Sequence, residues 1–226
     1  MNRASGTTGP LALVGGNEWT DGCTFDADLV AAAGGGDVIV LPTGSAYENP
    51  AKLVARAQDW FEQLGARVVE VPVLTRPDAL VEAHADVIRG AKLIYLAGAS
   101  AMHLRSVLKD SLVLDAIVEA WHGGAALVGS SAGADVICDP MVDSRGGAFT
   151  VGLGLVPGLA VIPRANTWSP EKIHRTVELV SKGVALAAVP EATALLRAPD
   201  GTWSVAGVGE VTVYVEGHVA TMADLP

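Results

Sequence analysis

The sequence predicts an α/β fold: a mostly parallel sheet covered by helices on both faces, with an antiparallel hairpin extension at its C-terminal end. Three observations carry this. Short continuous apolar runs, bounded by Gly-containing turns, alternate with longer segments of helical periodicity, as strands buried on both faces do. Half of the 226 residues are apolar but only 5% are aromatic, so the core is built from Val, Leu and Ala. Beyond Thr193 the apolar runs are separated only by turn residues, which signals hairpins.

Residues 1–9 read as a flexible polar leader and 10–217 as one domain, in keeping with the usual domain size. A first strand over 11–14 ends in Gly15-Gly16-Asn17. Phe25, Leu29, Val30 and Ala33 follow at helical spacing until Gly34-Gly35-Gly36 stops the helix. A strand over 38–41 is closed by Pro42-Thr43-Gly44. Leu53, Val54, Ala57, Trp60, Phe61 and Leu64 make the clearest amphipathic helix, with Gly65 as its stop. A strand over 68–73, a helix over 78–89 and a strand over 93–96 come next, the last running into Ala97-Gly98-Ala99-Ser100. Residues 101–121 are helical with a break near Asp110-Ser111. The last third predicts a strand over 159–162, a helix over 170–181 and a strand over 185–189 ending in Pro190-Glu191. Strands over 193–198, 203–208 and 211–215 form the extension. Glycine turns recur at the strands' C-terminal ends, the edge where open α/β sheets bind ligands. Glu18 and Trp19 fall on that edge and are expected to line a pocket.

Fifteen basic against twenty-five acidic residues give a formal charge of −10, which excludes a nucleic-acid or anionic-membrane surface built on clustered Lys and Arg. Cys23 and Cys138 lack metal-ligand or disulfide-framework spacing and read as plain buried thiols. No G-x-G-x-x-G, P-loop or metal-ligand pattern is present, so neither cofactor nor metal is expected. The N-terminus has no charged-then-apolar signal pattern and no apolar run reaches membrane-spanning length, so the expectation is a soluble cytoplasmic protein. Oligomeric state stays open, with a homodimer the commonest assembly.

The chemistry centres on the stretch from Ala125 to Val136, where an apolar run meets Gly129-Ser130-Ser131-Ala132-Gly133 and a helix-like segment follows. This is the pattern of a nucleophile elbow: small flanking residues let the chain reverse sharply and hold one serine hydroxyl out at the strand's end. The N–H after that serine and the positive end of the new helix can then face a developing oxyanion. Ser131 is therefore the candidate nucleophile. A serine hydroxyl needs a base, usually histidine, and the chain has His84, His103, His122, His174 and His218. His174 lies between Ser131 and Glu191 in the chain and is the candidate base by order, although it flanks a helical apolar stripe. His103 opens the helix after the Gly98 loop and suits a substrate contact. The order Ser131, Asp200, His218 would fit an α/β-hydrolase, but Asp200 sits in a Pro-Asp-Gly turn and His218 ends a hairpin. Asp135, one turn after Ser131, either supports a base or faces the helix's positive end. Arg145 and Arg164 are candidates for pairing a substrate carboxylate.

Three further segments complete a resemblance: Leu96 to Leu104, Gly152-Leu153-Gly154-Leu155-Val156-Pro157-Gly158, and Pro190-Glu191-Ala192-Thr193-Ala194-Leu195. With the Ser131 elbow they resemble the peptidase S51 family of cyanophycinases and aspartyl dipeptidases. The resemblance runs from about Leu11 to Val215 and implies a flavodoxin-like three-layer sandwich of the class I glutamine amidotransferase type. It implies a serine hydrolase that cleaves a small peptide or amide substrate through an acyl-enzyme. Ser131 matches the nucleophile, Glu191 the acid that supports the base in some members, and Gly98 and Ala132 the donors of the oxyanion hole. A glutamine amidotransferase itself would need cysteine at position 131. The sequence departs from the family where its histidine should stand, at Arg164 or Ala165. Arginine stays protonated, its pKa being above about 12, and cannot act as base. Ala97 and Ala99 also replace glycines of the family's loop. The alternative implied is a catalytically impaired relative that keeps the pocket to bind a small peptide or acidic ligand.

Overall fold

The structure, a computed structural model, describes residues 8–226. The chain begins β1 (Leu11–Val14), α1 (Phe25–Ala32), β2 (Val38–Gly44), α2 (Pro50–Gln63), β3 (Val68–Glu70), α3 (Glu82–Arg89), β4 (Leu93–Gly98), α4 (Ala101–Leu108) and α5 (Leu112–His122). It continues β5 (Ala126–Ser130), α6 (Ala132–Ile137), β6 (Cys138–Asp139), β7 (Met141–Val142), β8 (Phe149–Thr150), β9 (Val156–Pro157) and β10 (Leu159–Pro163). It closes with α7 (Pro170–Leu179), β11 (Ala185–Val189), β12 (Thr193–Arg197), β13 (Trp203–Gly207), β14 (Thr212–Val215) and β15 (His218–Ala220).

Seven strands form the main sheet in the order β13-β12-β1-β5-β4-β2-β3. The five from β1 to β3 in that order are parallel, and β12 and β13 add antiparallel beyond β1. Strands β1, β4 and β5 are buried at every position, so their continuous apolar runs follow from having a packed layer on each face. One layer joins alternate strand residues such as Leu13, Ile94 and Leu127 to α3–α5; the other joins Val14, Tyr95 and Val128 to α1 and α2. The α/β class with a mostly parallel sheet is thus as expected.

The hairpin extension is divided between two sheets. β12 and β13 complete the main one, whereas β14 and β15 pair onto β11 in a second sheet of order β15-β14-β11-β10-β6-β9. That second sheet was not foreseen, because β6 and β9 are two residues each and carry no readable period. The expected strand 68–73 stops at Glu70, and the expected helix 78–89 is a 3-10 turn, Asp78–Leu80, followed by α3. Of the expected leader, 1–7 lie outside the described residues; Gly9 is tied to Trp121 by two hydrogen bonds, N–H to the carbonyl at 2.7 Å and indole N–H to Gly9 O at 2.8 Å. Cys23 and Cys138 are both free and buried. Among the described residues no helix is long and apolar enough to cross a membrane.

One buried acid makes folding pH-dependent. Asp26 of α1 takes the Trp60 indole N–H on Oδ2 at 3.0 Å, while its Oδ1 has no partner among the described residues. Burial, opposed by the Trp60 bond, lifts its carboxyl from the ordinary 3.8 to about 7. Between these values the folded chain holds a proton that the unfolded chain has released. Asp26's contribution is therefore full below about pH 4 and is lost as pH rises through 7. At about 1.4 kcal/mol per unit the loss is on the order of 4 kcal/mol at most. Urea unfolding of Asp26→Asn beside the parent should show the variant gaining on it between pH 4.5 and 8. A constant difference would refute the assignment.

Candidate active site

The C-terminal ends of β1, β2, β4 and β5 frame a cleft of about 340 Å3, and Ser131, Gly98, Glu18, Arg164 and Glu191 all line it. Ser131 follows β5 with φ 52° and ψ −111°, a conformation that costs a non-glycine residue on the order of 1–3 kcal/mol. Its N–H donates to Val14 O at 2.9 Å, which fixes the turn to the neighbouring strand. The turn is possible because its glycines leave no room for side chains. A Cβ on Gly129 would stand 2.5 Å from the Gly133 carbonyl carbon, and one on Gly133 2.1 Å from Leu96 O.

Backbone strain gathers around this cleft. Six of the eight described non-glycine residues with positive φ, Asn17, Trp19, Asn49, Ser131, Arg164 and Ala192, line it or adjoin a residue that does. Such strain persists only where surrounding contacts over-determine it, as at functional sites. Here the contacts are main-chain. Gly15 O accepts from Arg164 N at 2.7 Å, Gly15 N donates to Thr193 O at 2.9 Å, and Gly16 O accepts from Ala192 N at 2.8 Å.

Arg164 and Glu191 follow β10 and β11, parallel neighbours in register at Pro163 and Val189, so they emerge side by side. The Arg164 Nη2 to Glu191 Oε1 distance is 2.8 Å. Asn166 completes the network, donating from Nδ2 to Glu191 Oε2 at 3.2 Å and accepting Glu191 N–H at 2.9 Å. The Arg164 stem lies over Gly16 beside Ser131: a Cβ on Gly16 would be 3.0 Å from Arg164 Cγ and 3.4 Å from Ser131 Cβ. Ala165 is turned away and buried in the core of the second sheet.

Ala132 is the first residue of α6, where N–H groups have no intrahelical acceptor. Gly98 has φ 126°, and a Cβ there would lie 2.2 Å from the Gly44 carbonyl carbon, so packing alone already demands glycine.

None of the five histidines lines the cleft. His174 corrects the expectation drawn from chain order: it is an exposed residue of α7, paired to Glu178 at 3.3 Å, in a separate groove with Trp168 and Tyr214. His103 turns its Nε2 to Leu74 O at 2.8 Å and packs edge-on against Tyr47, so it does not contact the cleft either. Asp135 is buried and accepts Val142 N–H at 2.7 Å; burial pushes its carboxyl well above the ordinary range, and it serves the β7 connection. Arg145 pairs with Asp143 at 2.7 Å beside a neighbouring groove.

Glu48, Lys52 and Arg56 line the cleft and were missed. The available signal was Gly44 closing β2, since the loop after it reaches the ligand edge. Arg56 donates to Glu18 O at 2.8 Å and stands 5.8 Å over the Trp19 ring.

The chain that carries this cleft matches one family model. The model of Peptidase family S51 covers residues 15–202. The chain belongs to this family. Cyanophycinases of Synechococcus elongatus and of Nostoc sp. are each 27% identical to this S51 chain over 92% and 91% of it, spanning 69% and 73% of their own lengths. A crystal structure of a peptidase from an acI-B1 Actinobacterium superposes with TM-score 0.83 at 25% identity, covering 93% of each chain. A putative peptidase E protein from Listeria monocytogenes EGD-e shares the fold, with TM-score 0.64 at 20% identity over 92% of this chain and 98% of its own. Membership supports a peptidase or hydrolase acting on a peptide substrate.

Proposed function

We propose that this S51 chain is a serine-type hydrolase that cleaves a peptide or amide bond through an acyl-enzyme on Ser131. The observation that carries the reading is the strained Ser131 turn at a cleft shared with Glu191. Ser131 Oγ attacks the substrate carbonyl, forming a C–O bond while the carbonyl electron pair moves onto oxygen. The N–H groups of Ala132 and Gly98 face that oxyanion. Collapse breaks the C–N bond, and the amine leaves with a proton; water then cleaves the ester and frees the acid and Ser131. Arg164 takes no part as base. The proton is left to the remaining cleft groups, Glu48 and Lys52. A cytoplasmic setting belongs to the proposal, resting on two unpaired cysteines.

A second reading, a binder of a small peptide or acidic ligand, is favoured by the Arg164–Glu191 pair, which occupies the base's place and engages its supporting acid. Intact mass after incubation with a fluorophosphonate separates the two. Ser131 Oγ would form the P–O bond as P–F breaks and fluoride leaves. One adduct in the parent and none in Ser131→Ala is the expected result. No adduct in either would overturn the hydrolase reading and leave the binder.

A further inference from the structure

We propose that Glu18 is a positioning residue for the nucleophile, acting through Ser130. This rests on reading Ser131 as that nucleophile. Ser130 ends β5, is completely buried, and donates its hydroxyl to Glu18 Oε2 at 2.7 Å. The bond is buried, and burial shields it from competing water. It holds the residue immediately before the strained turn. Relaxation of Ser131 φ toward ordinary values would rotate Ser130 as well, so a fixed Ser130 side chain opposes that relaxation.

Glu18 is itself fixed. Asn17 and Trp19 on either side have φ of 51° and 62°, and Arg56 holds the Glu18 carbonyl. Two residues upstream, Gly16 is bonded to Ala192, and Gly15 to Arg164. The carboxylate therefore carries the position of the Arg164 and Glu191 segments to the serine turn. No cation of the described residues pairs with it, since Arg56 bonds the carbonyl and Arg164 bonds Glu191. Simple satisfaction of a buried hydroxyl would need neither the strained backbone nor this main-chain coupling.

The test compares Glu18→Ala, Ser130→Ala, their double variant and Glu18→Gln at a temperature where melting curves show all to be folded. Two readouts are taken: the second-order rate of Ser131 phosphonylation, and hydrogen exchange of the segment 126–137. Expected is a rate loss of about tenfold or more in each alanine variant, the scale of a misplaced reacting group. The double variant should lose no more than the worse single one, and Glu18→Gln, which keeps an acceptor, should recover most of the rate. Exchange should rise in the alanine variants alone. Losses that multiply in the double variant, or rates and exchange both unchanged, would overturn the proposal. A parent that does not react removes the acyl-enzyme reading instead, and exchange still decides whether Glu18 holds the turn. If Glu18→Ala does not fold, Ser130→Ala, which deletes one hydroxyl, carries the comparison with Glu18→Gln.

Discussion

Arg164→His should raise Ser131-dependent amide hydrolysis by about two orders of magnitude, the lower range of what a well-placed general base contributes. Position 164 extends a side chain over Gly16 toward Ser131 and already stands beside Glu191, whose Oε1 is 2.8 Å from the guanidinium. An imidazole there would meet the Ser131 hydroxyl on one side and the Glu191 carboxyl on the other, the arrangement that holds a catalytic histidine in its working tautomer. Ala165→His should give no gain, because residue 165 is buried in the core of the second sheet and added volume there strains packing. The measurement is turnover of dipeptide and simple amide panels by both variants, each repeated on a Ser131→Ala background. Equal rates in parent and Arg164→His would mean that more than the base separates this chain from an efficient hydrolase.

Gly133→Ala is expected to destabilise the fold by about 3 kcal/mol, a large share of the roughly 5–15 kcal/mol that holds an ordinary chain folded. The added methyl would stand 2.1 Å from Leu96 O and 3.2 Å from Leu96 Cβ, and neither is a free end that can swing aside. Leu96 pairs with Gly129 across the β4–β5 ladder, so displacement of one strand moves the serine turn with it. Gly36→Ala is the control: nothing lies within 4 Å and its φ is ordinary, so a gain of about 0.4–1 kcal/mol is expected from a stiffer unfolded chain. Thermal melts of the pair test whether contact, rather than glycine content, sets the difference.

The sequence announced what is local. β1, β4 and β5 were legible because burial on both faces leaves an unbroken apolar run, and the Ser131 turn because its glycines are adjacent to it. The expectations for Glu191 and for the base position at Arg164 or Ala165 came through resemblance, not spacing. What stayed hidden depends on contacts between distant segments. Ser130 and Glu18 are 112 positions apart. β6 and β9 of the second sheet are too short to show a period, as are β7 and β8, which pair with each other. His174 illustrates the limit of chain order: it lies between Ser131 and Glu191 in sequence, yet α7 carries it to another groove.

The cleft is a seam. Gly98 ends β4, and Ser131 and Glu18 follow β5 and β1 of the main sheet, whereas Arg164 and Glu191 follow β10 and β11 in the second. Bonds from Gly15 to Arg164 and from Gly16 to Ala192 help stitch the two together. A compound bridging Ser131 and Arg164 would therefore act as a clasp, holding shut the boundary between two sheets and slowing its breathing. Its effect would register as protection from proteolysis in loops far from any atom it touches.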